Sequence, residues 1–508
     1  MNQRSVEELW QQLWEANELP YGVAQIAAVE QLLRHTDAAG DRELAFAARM
    51  LGTEAYHCGG ETGKAFVTFS WCVADYDRDP APHHEEYTHD LLWQYKWMVS
   101  ALTRFPDVPL QRTYTVLDDM ERRFREGGHS LHAVYNRRFE VARHVGDEAA
   151  ADQWYERWVT APRDELSDCA GCDPLDRVEF LVERGRDAEA VAIAEPVLTG
   201  QVTCNEQPQA ILLALLVPYV RTGRIDDAAE AHRKAYRLIR DKVADLADIG
   251  EHIAFCARTG NEHRGLEILQ RHLDWLDRAP SPCAAMEFAA SGALLLRRLA
   301  AAGHGEVLVR RRAYGDRPAA EVPAATLAES LAAHASGLAA QFDARNGTTR
   351  QSRRIDAILT AEPFGVDVPL SPTARRRSAA TPQGPVAGEP AAAPIAPEPT
   401  GAPVPADADP ATLIRLAEDL ERADAVQALV ALLEQFDARF ADADLPAPVA
   451  ARRAELRAWQ HWLGRDLAAS IAASELAQRL YAQAGEPGRA SRVSGSAGLA
   501  RCLAGPLP

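Results

Sequence analysis

The sequence predicts an all-α protein: a right-handed superhelix of antiparallel helical hairpins, followed by a small C-terminal helical domain. Three observations predict it. Alternating β-branched runs with hairpin turns are nearly absent from 508 residues rich in Ala, Leu, Glu and Arg. Apolar residues recur at intervals of three and four, as in the segments VAIAEPVL and LEILQRHLDWL. A glycine-containing turn returns at a near-constant interval, which is the mark of a stacked repeat.

The turns come in order at Gly60, Gly146, Gly185, Gly223 and Gly260. The last four are 39, 38 and 37 residues apart, and a turn around Phe105-Pro106-Asp107 divides the longer first interval. Each glycine has matching neighbours. Five residues later stands a small residue: Ala65, Ala151, Ala190, Ala228 or Gly265. Four further on stand Phe69, Tyr155, Ala194, His232 and Leu269, and three beyond those Cys72, Trp158, Val197, Ala235 and His272. Four before the glycine stand Tyr56, Ala142, Leu181, Tyr219 and Cys256. A glycine turn ends one helix and lets the next fold back antiparallel. The small residue lets the two backbones approach, and the later positions share its face.

These spacings resemble the tetratricopeptide repeat over roughly residues 20–300, with units a few residues longer than its ordinary ~34. The resemblance departs at the start of each first helix, where the family's Trp and Leu-Gly are mostly missing and Leu51-Gly52 stands one residue out of register. The chain also looks like the tetratricopeptide-like proteins of high-GC bacteria. The resemblance implies a helical-hairpin solenoid with a concave face and no specific activity.

Beyond Gly303 the repeat signal fades. One amphipathic helix is expected over Thr326–Arg345 and a short one over Ser352–Leu359. From Thr381 to Pro410 there are nine Pro, eight Ala and three Gly, a composition that buries no core and reads as a disordered linker. Arg375-Arg376-Arg377 stands just before it, at a solvated edge. The expected domains are residues 1–360 for the repeats, 361–410 for the linker and 411–508 for the C-terminal helices. In that last part Leu413, Leu416, Ala417 and Leu420 share a helical stripe, and Tyr481, Gly485, Ala490 and Ala497 repeat the turn spacing.

Lys and Arg total 55 against 73 Asp and Glu, a formal charge of −18. That balance argues against a nucleic-acid partner, which needs basic surface to release counterions, and against docking on anionic membranes. The most apolar stretch, Ala210–Val220, is eleven residues long and contains Pro218, so it reads as a core helix and not a span. The N-terminus has no apolar signal core. A cytoplasmic protein with free thiols is expected.

Three motifs carry chemical suggestions. Cys169-Ala170-Gly171-Cys172 lies in one hairpin-to-hairpin connection and Cys204 in the next. Successive connections stack along one edge of a solenoid, so the three cysteines are expected to meet. Three thiolates suit Zn²⁺, with Asp168, Asp173, Glu206 or His232 as a fourth ligand and a closed structural site as the result. A redox pair and plain packing cysteines are the alternatives. Gly59-Gly60-Glu61-Thr62-Gly63-Lys64 is not a phosphate loop: Cys58 stands where a Gly is needed, and Ala65 where a hydroxyl is needed. In His83-His84-Glu85-Glu86-Tyr87-Thr88-His89, His84 and His89 are five apart, about 140° around a helix, so a helix start after Pro82 is the plainer reading.

Seven of the ten Trp lie before residue 160. Most such aromatics build core, but Trp93, Tyr95 and Trp97, with Arg137 and Arg138, are candidates to anchor a partner in a concave groove. Arg112 and Arg143 stand nearby as carboxylate holders. The expected function is a scaffold or adaptor for a protein or peptide. The alternative is a ligand- or peptide-responsive regulator, against which stands the lack of a basic recognition helix. No clustered catalytic set points to an enzyme.

Overall fold

The computed structural model describes residues 5–199, 204–370 and 408–493, the last apart from 423–425, 441–444, 464–465, 487–488 and 491–492. Its described residues are overwhelmingly helical and form an all-α solenoid of hairpins. They fall into two compact units, one on each side of residues 371–407. No helix among them is long and apolar enough to cross a membrane.

The first unit opens with α1 (Val6–Asn17), whose Ser5 and Glu8 form a reciprocal capping box, and α2 (Val23–Ala39). Five hairpins follow. They are α3 (Arg42–Gly59) with α4 (Thr62–Arg78), α5 (Pro82–Thr103) with α6 (Leu110–Glu126), α7 (His132–Val145) with α8 (Glu148–Thr160), α9 (Cys172–Glu183) with α10 (Asp187–Thr199), and a broken pair that returns through α13 (Ile225–Ile239). A sixth joins α14 (Leu246–Arg258) to α15 (Glu262–His272). Every turn lies where the spacing put it. Gly60, Gly146, Gly185, Gly223 and Gly260 all have φ between 69° and 89°. A side chain strains that left-handed backbone, so glycine is the residue that ends the helix there.

The matching neighbours are the hairpin core. Ala65, Ala190 and Ala228 are fully buried, as are Cys72, Trp158, Ala235 and His272. Tyr155 alone among the plus-nine residues stays half-exposed. The small residue has a direct reason at Gly265: a Cβ there would lie 2.7 Å from Leu295 Cδ1 and 3.1 Å from Cys256 Cβ. The apolar stretch before Gly223 is interrupted. It forms α11 (Gln209–Ala214) and α12 (Leu216–Arg221), because the Pro218 ring blocks the carbonyl four residues back.

After α16 (Pro282–Leu299) the chain makes a two-stranded antiparallel ribbon, β1 (Leu308–Arg311) and β2 (Ala320–Pro323), with Leu308 opposite Pro323. The sequence did not announce it, because only Val309 of the eight strand residues is buried. The two expected helices then appear as α17 (Ala324–Asn346) and α18 (Arg350–Leu359).

This last hairpin returns to the first half of the unit. Arg345 Nη1 donates to the carbonyls of Thr103 at 3.1 Å and Phe105 at 2.8 Å, capping the end of α5. Thr348 Oγ1 donates to the Val145 carbonyl and Gln351 Nε2 to that of His144, at 2.8 and 2.7 Å. Residues 361–370, expected in the linker, instead pack on the repeats. The Phe364 amide donates to Arg258, Asn261 Nδ2 to the Val368 carbonyl, and Val368 is buried. Residues 381–407 of the Pro/Ala-rich stretch, Arg375-Arg376-Arg377 and Ala497 lie outside the described residues, and Pro410 already begins a helix.

The second unit contains α19 (Pro410–Arg422), α20 (Val426–Phe440), α21 (Ala447–Leu463) and α22 (Leu467–Gln483). Leu413 and Ala417 are buried against Leu429, Leu433 and Phe436, and Leu416 and Leu420 pack at the edge. Tyr481 is fully buried with its hydroxyl on Glu455, and Gly485 has a φ of 76°.

Candidate functional site

Cys169 and Cys172 lie at the entry to α9, and Cys204 in the connection that leads to α11. The repeat brings these connections together. Cys204 Sγ is 4.0 Å from Cys169 Sγ and 3.8 Å from Cys172 Sγ, and all three sulfurs lie within 4.8 Å of one another. A disulfide needs ~2.05 Å, whereas a tetrahedron with ~2.3 Å metal–sulfur bonds has sulfur–sulfur edges of ~3.8 Å. The Cys172 amide donates to Cys169 Sγ at 3.3 Å, and Gln207 Nε2 to Cys172 Sγ at 3.9 Å. Hydrogen bonds from Cys172 and Cys204 pull the Cys169 thiol far below its ordinary range, and the same contacts push Cys172 up.

The neighbouring charges are fixed from other hairpins. Lys96, 1% exposed, donates from Nζ to Asp168 at 3.0 Å and to the Leu166 carbonyl at 2.9 Å. Arg137 reaches the other Asp168 oxygen at 3.0 Å. Burial alone would raise Asp168, but Arg137 and Lys96 outweigh it and hold the carboxyl below its usual range. Sequence reasoning missed Lys96 and Gln207, since neither residue type signals a thiolate partner by itself.

Three of the four expected fourth ligands are committed elsewhere. Asp168 is held by Lys96 and Arg137. Asp173 accepts from Trp158 Nε1 at 3.1 Å and pairs with Arg163 at 2.7 Å. His232 lies in the hairpin core, its Nδ1 3.0 Å from His252 Nδ1, because its repeat position faces inward. Glu206 is exposed and its carboxylate acts on Asp245 and Cys58, with Asn205 donating to it at 2.8 Å.

A second feature is an acidic wall formed by the first helices of successive hairpins. It carries Asp176, Glu179 and Glu183 from α9, Asp245 beside α14, Asp248 and Glu251 from α14, and Glu287 from α16. Glu179 is half-exposed and Glu251 exposed. Burial first, and then neighbouring carboxylates, push Asp176 and Asp245 up to about 7 and Glu251 to about 8, and Asp248 moves the same way. No hydrogen-bond or ion-pair partner meets Asp248 or Glu251 among the described residues. The i, i+3, i+7 spacing of Asp176, Glu179 and Glu183 was the available signal, but only the stacking of helices makes it a wall.

The basic α18 lies against one end of this wall. Arg354 donates to Glu287 at 2.6 Å, and Arg350 approaches Glu183 at 3.5 Å.

The expected partner anchors are engaged within the unit. Tyr95 is buried with its hydroxyl on Asp119, which removes it from any partner-facing set. Trp93 lies under Lys96 Nζ, 3.0 Å from the ring centre, and Trp97 stacks on His57 at 4.8 Å. Arg138 pairs with Glu121 and Asp118, Arg143 with Glu183, and Arg112 lies over Phe66. Arg137 also bonds Ser100 and Glu140.

Asp75, His83 and His84 form another close group. Its geometry is that of a helix start. His84 Nδ1 accepts the Ala81 amide at 3.1 Å, which leaves the proton on Nε2, facing Asp75 at 3.2 Å. Arg42 holds the same carboxylate at 3.2 Å. His89 pairs only with Asp90 on the surface. In the glycine-rich turn, Lys64 pairs with Glu30 at 2.8 Å.

No protein-family model matches the chain, and no curated protein is similar to it. Among solved structures, the chain is matched to a circular tandem repeat protein with a novel repeat topology and enhanced subunit contact surfaces. The match covers 94% of this chain and 88% of that one at 14% identity, with a TM-score of 0.15, which carries no argument about fold.

Proposed function

We propose that the chain is an interaction scaffold whose acidic wall takes a basic segment of a protein partner. The observation that carries this reading is the seating of α18: a short basic helix of the chain itself lies on the wall, and pairs Arg354 with Glu287 and Arg350 with Glu183. Asp176, Glu179, Asp248 and Glu251 continue the wall beyond α18 without matching cations for all of them. Grouped carboxylates at raised pKa lower their mutual repulsion when a cation joins them, and guanidinium does so with paired hydrogen bonds. A basic protein segment fits this reading, since one chain supplies several such cations at helical or extended spacing.

The test is fluorescence anisotropy with a labelled Arg-rich peptide and its Glu-for-Arg counterpart. The full chain is expected to bind the first with strong salt dependence and to ignore the second. The triple variant Glu179→Gln, Asp248→Asn, Glu251→Gln is expected to weaken binding at least tenfold. Equal binding by the variant, or no binding of basic peptides at low salt, would overturn the reading.

A further inference from the structure

We propose that Cys169, Cys172 and Cys204 bind one thiophilic divalent cation, zinc, through three thiolates, and that its fourth coordination position is open to exchangeable solvent. This goes beyond the scaffold reading and does not depend on it. Four observations carry it.

The first is convergence. The two sulfur–sulfur distances from Cys204, 3.8 and 4.0 Å, match the ~3.8 Å edge of a zinc–thiolate tetrahedron, and all three sulfurs lie within 4.8 Å of one another. Two packed thiols also touch at such distances, but three sulfurs gathered from two connections at a partly exposed edge bury little apolar surface and offer a metal its ligands. The second is the surrounding hydrogen bonding. The Cys172 amide and Gln207 Nε2 donate to sulfur, and donors aimed at sulfur favour the ligating thiolate over the thiol. Gln207 is itself fixed, since it is buried and its Oε1 accepts the Ile211 amide at 3.2 Å.

The third is charge. A zinc trithiolate carries one net negative charge. Lys96 and Arg137 place two cations beside it, and their charges act on Cys169 and Cys172. The fourth is what is missing from the fourth corner. Asp168, Asp173 and His232 are held by other partners, the Glu206 carboxylate is not among the ligand atoms that lie within 4.8 Å of one another, and residues 200–203 read Gly-Gln-Val-Thr, with no ligating carboxylate, imidazole or thiol. Cys204 is exposed, so solvent reaches the ion from its side. Three protein ligands and one open position make an exchange-competent site, in contrast with the closed four-ligand site that the sequence suggested.

The experiment uses tag-free full-length chain, purified with reductant and without chelator. Elemental mass spectrometry is expected to find about one zinc per chain. Cys204→Ser, a change in an exposed connection, is expected to lower occupancy at least tenfold after dialysis, while Cys58→Ser and Cys283→Ser keep it. Cobalt(II) reconstitution is expected to give a sulfur-to-metal charge-transfer band and the visible bands of a tetrahedral site. Added imidazole is expected to shift those visible bands by entering the fourth position. Zinc at background level with unfilled cysteines, or occupancy unchanged in Cys204→Ser, would overturn the metal site. Bands indifferent to imidazole would overturn the open position. None of these readouts involves a basic peptide, so this proposal and the scaffold reading fail separately.

Discussion

Two clusters in the first unit are built from residue types that bind metals, and they differ in every respect that matters. At the loop edge, Cys169, Cys172 and Cys204 converge on one point and partly face solvent. In the core of the hairpins of α13 to α15, His232, His252, Cys256, Tyr236 and His272 form a chain. Cys256 Sγ lies 4.0 Å from His232 Nε2, His232 Nδ1 lies 3.0 Å from His252 Nδ1, and Tyr236 meets His272 at 3.1 Å. His252, Cys256 and His272 are fully buried. Burial drives His232 to about 3 and His272 to about 4, lowers His252 as well, and pushes Cys256 up, so the cluster stays neutral at any physiological pH. A linear set of neutral groups fills a core and passes hydrogen bonds along. A convergent set of ionisable groups near water can load and release an ion. Residue type alone does not separate the two; the number of ligand atoms aimed at one point does.

The largest expected effect separates the clusters by metal dependence. If zinc saturates the edge site about a thousandfold above its dissociation constant, chelation should remove about 4 kcal/mol of stability. Calorimetry of holo and chelated protein should therefore show two melting temperatures, which merge in the Cys169→Ser/Cys172→Ser/Cys204→Ser variant. Identical melts for the wild type with and without chelator would erase the contrast.

Next in size is the core cluster itself. His252→Ala removes a fully buried ring and leaves His232 Nδ1 without its partner, which should cost about 2–4 kcal/mol in denaturant unfolding. The same loss is expected with or without chelator. A loss that appears only in the zinc-loaded protein would mean the core histidines share the ion.

A third effect comes from pH. The buried histidines have depressed pKa values, so their contribution improves as pH rises toward 6.5. The acids of the wall run the other way. Asp176, Asp245 and Glu251 have raised values, so folding binds their protons, and the stability they contribute is lost progressively from about pH 4 and fully by about 7–8. Melting temperature should peak near pH 6–6.5 and fall by a few degrees toward pH 8.5. Asp248→Asn/Glu251→Gln should flatten the alkaline limb and steepen the acid one, because each removed acid opposes the histidines from its unfolded value upward. An alkaline limb unchanged in that variant would place the pH dependence outside the acidic wall.

Much of this contrast was legible in the sequence where a local backbone demand repeats. Glycine at positive φ marks Gly60 through Gly260, and the constant period then stacks equivalent connections, which is why Cys204 could be joined to Cys169 across 35 residues. The inward position of His232 was legible by the same rule. What escaped depends on contacts with no period. Lys96 reaches Asp168 from a hairpin away, and Arg345 reaches Phe105 across 240 residues, because α17 and α18 fold back on the first half of the unit. The occupation of Asp168 and Asp173, which empties the fourth corner of the cysteine site, follows from such contacts. So does the burial of Tyr95, whose hydroxyl meets Asp119 from the next helix.

The smallest effect tests whether α18 is a stand-in for a partner. Arg354 is 31% exposed in its side chain and donates one charge-assisted bond to Glu287. Arg354→Gln should cost only about 1–2 kcal/mol, because the rest of α18 stays anchored through Gln351 and Thr348. It also frees a carboxylate on the wall. The variant should therefore bind an Arg-rich peptide several-fold more tightly than the wild type while melting slightly lower. Opposite signs for stability and affinity are the signature of a displaced internal cation. If affinity falls together with stability, α18 serves only to close the end of the solenoid, and the acids around Glu251 face their solvent without a guest.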